Sequence, residues 1–121
     1  MQKNEYLHEW EKATIKAVSR TLLCRSVYVR AIPYGETVLF VLQSRSRPVY
    51  KLHASPVQSM IWNELHETKR VLEIINNVKS SHCNLKMIEI VWVIADLRRR
   101  KIIHSAEEKE LPGVERPRCP L

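Results

Sequence analysis

Glycine and aspartate are nearly missing from this chain. Two glycines, Gly35 and Gly113, and one aspartate, Asp96, occur in 121 residues. Enzymes use glycine where backbone must approach a ligand and aspartate for metal or acid–base chemistry, so the scarcity argues for a binding protein over a catalyst. The chain has no GxGxxG, no phosphate loop and no Gly-x-Ser-x-Gly, which leaves nucleotide and hydrolase chemistry without a signature. His8-Glu9 and His66-Glu67 each begin like HExxH, but Lys12 and Arg70 stand where the second histidine belongs. A cation cannot replace an imidazole ligand, so no metal site and no cofactor are expected.

Cysteine is sparse as well: Cys24, Cys83 and Cys119 form no CxxC pair, as in a reduced intracellular protein, cytoplasmic or nuclear. The first residues lack the apolar core of a secretory signal. The longest apolar run, Met87–Ala95, is broken by Glu89 and falls short of the ~20 residues a spanning helix needs, so no membrane partner is expected.

Basic charge is abundant and localised. Between Lys12 and Asn63 lie eight basic residues and one acid, Glu36, which leaves +7 on that stretch; the remainder has twelve basic and twelve acidic residues and cancels. Charge gathered on a segment that also reads as folded suggests a face for a polyanion. Hydrophobic residues make up 45% of the chain, enough for one packed core at this length.

Periodicity predicts a helix over 4–23, with Leu7, Trp10, Thr14, Val18 and Leu22 on its inner face and Asn4 as cap. The β-branched and aromatic runs Ser26–Ile32 and Thr37–Leu42 predict a hairpin about Pro33-Tyr34-Gly35-Glu36. A basic loop, Ser44-Arg45-Ser46-Arg47, leads to a third strand over Pro48–His53. Ser55-Pro56-Val57-Gln58 is a capping box with proline at the first helical position, and a long helix is expected from there to Lys79. Met87–Ile94, rich in valine and isoleucine, reads as a further strand. The expected fold class is α+β: helix, three antiparallel strands, helix and further strand in one domain, 1–104, with the helices on one sheet face. Residues 105–121, carrying Pro112, Pro117, Pro120 and four glutamates, read as a mobile tail.

In the first strand Tyr28, Arg30 and Ile32 share one face and Val27, Val29 and Ala31 the other; in the third, Val49, Lys51 and His53 share a face. With the apolar Val27 set turned to the helices, Tyr28 and Arg30 lie open to solvent. Over residues 4–79 the element order resembles that of the double-stranded-RNA-binding domain and of the Alu-binding proteins of the signal recognition particle. Ser55–Met60, however, carries no cation where the first of these families meets phosphate, and no residues are carried across.

The leading functional expectation is a small non-enzymatic nucleic-acid-binding protein. RNA is favoured over DNA because no helix-turn-helix or zinc-finger pattern is present. The expected contacts are Arg20, Arg25, Tyr28, Arg30, Arg45, Arg47 and Lys51, joined by Arg98, Arg99, Arg100 and Lys101. The alternative is a protein-interaction module docking on an acidic protein through an exposed Trp62 beside Lys69 and Arg70. Homodimerisation through the 48–53 edge is a variant of it. An enzyme would require a cleft uniting His53, His66 and Cys83; no catalytic residue is assigned.

Overall fold

A computed structural model describes residues 7–44, 47–82 and 84–107; for 43, 44 and 47–49 it describes the backbone alone. The architecture is α+β, with four helices and two three-stranded antiparallel sheets among the described residues. Helix α1 (Glu9–Val18) leads into strand β1 (Leu22–Arg25), and then come β2 (Val29–Tyr34), β3 (Thr37–Ser44) and β4 (Arg47–His53). Helix α2 (Pro56–Glu64), strand β5 (Lys69–Arg70), helices α3 (Val71–Ser81) and α4 (Met87–Arg99) and strand β6 (Ile103–Ser105) complete the chain order.

The hairpin forms as its sequence predicts, but its first strand runs Val29–Tyr34 rather than Ser26–Ile32 and its connection narrows to Gly35-Glu36. β2 and β3 pair from Val29↔Leu42 to Tyr34↔Thr37. Gly35 has φ +65° in the two-residue connection, the positive φ a tight hairpin asks of its first central residue. Strand β4 pairs with β3 from Leu39↔His53 to Ser44↔Arg47, with a register shift beyond Leu42↔Tyr50. That bulge falls where Pro48, which has no N–H for the ladder, enters the strand.

Three expected elements are corrected. The first helix stops at Val18, and Leu22–Arg25 becomes the central strand of the sheet β5-β1-β6. Ile15 and Glu11 are buried, whereas Trp10 is exposed, so the inner stripe runs Leu7–Glu11–Ile15–Val18, one position from the Trp10–Thr14 stripe. The long helix breaks at Leu65, because Lys69 and Arg70 pair with Leu23 and Leu22. The break also resets the helical phase: Val71, Ile74, Ile75 and Val78 are buried while Leu72 is exposed.

The third correction is Met87–Ile94, which is helical rather than extended. Ile88, Ile90, Val91, Ile94 and Leu97 are all buried, and α4 packs on α1, α2 and α3. Burial on several sides outweighs the β-preference of valine and isoleucine. The helix ends in a Schellman motif: Lys101 N–H donates to the Arg98 carbonyl and Ile102 N–H to that of Leu97, both at 3.0 Å. Lys101 adopts φ +67° at the position glycine usually fills.

All four helices begin with the same back-bond. The side chains of Glu11, Gln58, Glu73 and Glu89 accept from the backbone N–H of His8, Ser55, Arg70 and Lys86 at 2.8–3.2 Å. The Ser55-Pro56 signal is therefore correct, and Ser55 Oγ accepts from Gln58 N–H as well, at 3.1 Å.

Residues 108–121, most of the expected tail, lie outside the described residues, as do Asn4 and Cys83. Ser105, where that tail was expected to begin, pairs with Leu23. Among the described residues no helix is long and apolar enough to cross a membrane.

Trp62 is at the centre of the core and not on the surface. It is 6% exposed, with its ring edge-on to Phe40 at 5.0 Å between centroids. The Arg25 guanidinium lies 4.5 Å above the ring and donates from Nε and NH2 to the Trp62 carbonyl at 3.1 and 2.9 Å. Trp62→Ala should lower unfolding free energy by about 3–5 kcal/mol, the usual cost of deleting a large core aromatic. Urea denaturation checks this; a loss under ~1 kcal/mol would place Trp62 at the surface after all.

Candidate nucleic-acid interface

In an antiparallel ladder, opposed residues share a face. The register therefore divides the sheet β2-β3-β4 cleanly. Val29, Ala31, Val38, Phe40, Leu42 and Leu52 fall on one side and belong to the core or pack against it. On the other side lie Arg30, Val41 and Lys51 in one rung, Ile32, Leu39 and His53 in the next, then Tyr34 and Thr37. No acidic residue occurs anywhere in these three strands.

Arg30, Ile32, Tyr34, Lys51 and His53 are exposed on this outer face. The rings of Tyr34 and His53 meet at 4.6 Å between centroids with their planes tilted 30° to each other. Val41 is only 8% exposed although it points away from the core, as happens where the aliphatic stems of a flanking Arg and Lys lie across an apolar side chain. The surface thus offers an aromatic platform, an aliphatic strip and two cations. Stacking takes the faces of bases and cations take phosphates, the combination used on single strands.

The structure brings together some expected contacts and separates others. Arg30 and Lys51 are paired through Val41. Arg47 opens β4 at the same end of the sheet, but its side chain is not described, and Arg45 lies outside the described residues. Tyr28 is exposed, but in the Val27–Tyr28 turn and not on the strand face; its N–H donates to Ser26 Oγ at 3.0 Å. Val27, expected inside, is 80% exposed for the same reason. Arg25 is committed to Trp62, and burial disfavours its charged form. Arg20 is exposed just beyond α1.

The second basic cluster sits at the C-terminal end of α4, where cations suit the helix dipole. Arg99 and Arg100 both pair with Asp96, and Arg100 also donates to the Tyr50 hydroxyl at 2.9 Å. That bond brings the cluster beside β4 at Tyr50, which pairs with Leu42 on the core side of the sheet, so the cluster meets the side opposite Arg30 and Lys51. Lys69 pairs with Glu64 at 3.1 Å, and exposed Arg70 supplies the N-cap of α3. His53 and His66 serve different contacts, His66 facing Glu67 and the Asn63 carbonyl. Among the described residues no group of three or more His, Cys, Asp or Glu side chains could hold a metal ion.

Sequence reasoning missed Tyr34, which it placed in the turn. The signal was the continued alternation Arg30–Ile32–Tyr34 across Pro33. Comparison of the chain with protein-family models, with curated proteins and with solved structures finds no match to any of them.

The Arg100 hydrogen bond, followed by the contribution of Arg99, holds the Asp96 carboxyl below its ordinary range despite some desolvation. Its folded value is depressed, so the stability it confers is full above the ordinary carboxylate range and is lost as pH falls through the depressed value. Asp96→Asn should therefore lower the melting temperature at pH 7, and by progressively less as pH falls below the ordinary carboxylate range. A drop that stays constant across that fall would contradict this assignment.

Proposed function

We propose that this protein binds single-stranded nucleic acid, RNA in preference to DNA, on the outer face of the sheet β2-β3-β4. The observation that carries the reading is the juxtaposition of the tilted Tyr34–His53 ring pair with the Arg30–Val41–Lys51 rung on strands free of carboxylates. Splayed bases would stack on the rings while phosphates meet Arg30 and Lys51, and Arg45 and Arg47, whose side chains are not described, are the two further contacts expected from the sequence. A flat sheet face suits extended single strands better than the major groove of DNA, which is read by an inserted helix or ribbon.

A second reading, docking on a partner protein, now rests on Trp10 and Trp92. These are 54% exposed each and stack across α1 and α4 at 6.3 Å with planes 17° apart. Exposed tryptophans commonly anchor interfaces.

Fluorescence titration with labelled single-stranded RNA, duplex RNA and duplex DNA at 50 and 200 mM salt separates the two. With four phosphate contacts, single-strand binding should weaken about fifty-fold between these salts. Arg30→Ser/Lys51→Ser should halve that salt slope, and Tyr34→Ala should weaken binding by ~1–3 kcal/mol. Binding that ignores salt, or that survives these changes and is lost in Trp10→Ala/Trp92→Ala, would transfer the interaction to the helical side.

A further inference from the structure

Trp10 on α1 and Trp92 on α4 form a surface that the sheet face does not use. Their rings run nearly parallel, 17° apart, with centroids 6.3 Å from each other, and both are exposed. Residues three or seven positions along a helix share a face. On those faces α1 also exposes Ala13 and Ala17, and α4 exposes Ala95. Two large indoles beside small alanines leave an uncovered apolar step on the helical layer.

The charge at this step is opposite in sign to that of the sheet. Residues three or four positions from a tryptophan are its neighbours on the helix surface. Among the described residues these are Leu7, Ala13 and Thr14 beside Trp10, and Ile88, Glu89, Ala95 and Asp96 beside Trp92. Two are carboxylates and none is a cation. Lys12 falls about 200° round α1 from Trp10 and faces Glu9 at 3.6 Å. Arg99, two turns beyond Trp92, pairs with Asp96, as does Arg100. Exposed Glu89 accepts the Lys86 N–H through Oε1 at 2.8 Å, and its second oxygen can take a further donor. Phosphate would meet a carboxylate here, so the step favours a cation over a polyanion.

A cation is attracted within about 6 Å of a ring centroid, and centroids 6.3 Å apart let one group reach both rings. Guanidinium suits the place better than ammonium. It is planar, weakly hydrated, and can donate to a carboxylate while it stacks. The core of this chain holds such an arrangement already: Arg25 lies 4.5 Å over the Trp62 ring while donating to a carbonyl.

We infer that the Trp10–Trp92 pair docks a basic segment of a partner protein, with an arginine side chain against the two indoles and its guanidinium donating to Glu89. This gives a partner chemistry to the second reading above, on which it rests, and is independent of nucleic-acid binding at the sheet.

The test follows the indole N–H signals of the isotope-labelled full chain, assigned with Trp10→Phe and Trp92→Phe. Three capped peptides are titrated, alternating glycine with arginine, with lysine or with citrulline. The arginine peptide should shift Trp10 and Trp92 saturably and leave Trp62 in place. Lysine should bind about threefold more weakly, and citrulline, which keeps the shape and loses the charge, at least about tenfold more weakly. Glu89→Gln should weaken the arginine peptide about threefold and keep α4 intact, since glutamine makes the same back-bond at α2. The peptide comparison on the unaltered chain needs no variant to fold. A citrulline peptide that binds as tightly would keep the pair as a docking surface and overturn its choice of a cation. Three results would overturn the docking itself: no saturable shift of either indole up to about 5 mM peptide, shifts that follow protein concentration without peptide, or RNA moving these two indoles where arginine does not.

Discussion

The contact between Arg25, Trp62 and Phe40 joins the two sheets through one side chain of α2. Arg25 comes from β1, Trp62 from α2 and Phe40 from β3. One indole therefore joins a guanidinium from one sheet to an aromatic edge from the other. Burial costs the guanidinium solvation, and the ring face and the Trp62 carbonyl partly replace it. The consequence for function is directional. With Phe40 turned inward on Trp62, the period of a strand turns Leu39 and Val41 outward, and cross-strand pairing then carries Arg30, Lys51 and His53 with them.

Charge is divided between the two parts of the fold. Glu11, Glu73 and Glu89 cap helices, Glu64 holds Lys69 and Asn77, and Asp96 holds Arg99 and Arg100. The acids named here serve the helical layer, where each answers a nearby N–H or cation. The strands β2, β3 and β4 contain basic residues and no acid. The +7 seen in the sequence between Lys12 and Asn63 therefore includes a sheet whose cations have no carboxylate on their own strands. This division favours a polyanion at the sheet face over a general affinity of the whole surface.

The sequence was most legible where local chemistry decides structure. Gly35 marked the hairpin and Ser55-Pro56-Val57-Gln58 marked the start of α2, because a turn or a cap is settled by a few adjacent residues. It was least legible where tertiary contacts decide. Met87–Ile94 has strand composition, yet Glu89 is the N3 cap residue of a helix; that glutamate inside an apolar run was the available signal. The jump in apolar phase from Leu65 to Val71 marked the break between α2 and α3. Trp62 looked exposed because a continuous helix put it among polar neighbours. Arg25 looked like a phosphate contact because a sequence shows charge but not the ring beneath it. Arg30, by contrast, was placed on the outer face by strand alternation alone; alternation grouped Lys51 with His53 without choosing their side, and the register sets both on the outer face and pairs Lys51 with Arg30 through Val41.

The central claim is that the outer sheet face is the binding surface. Its most direct test is an amide chemical-shift map of the isotope-labelled chain with and without a short single-stranded RNA at low salt. The account predicts perturbations concentrated at Arg30–Tyr34, Thr37–Val41 and Lys51–His53, with α1 and the first turns of α4 undisturbed. Shifts gathered instead around Trp10 and Trp92, or an unchanged spectrum at saturating RNA, would contradict it.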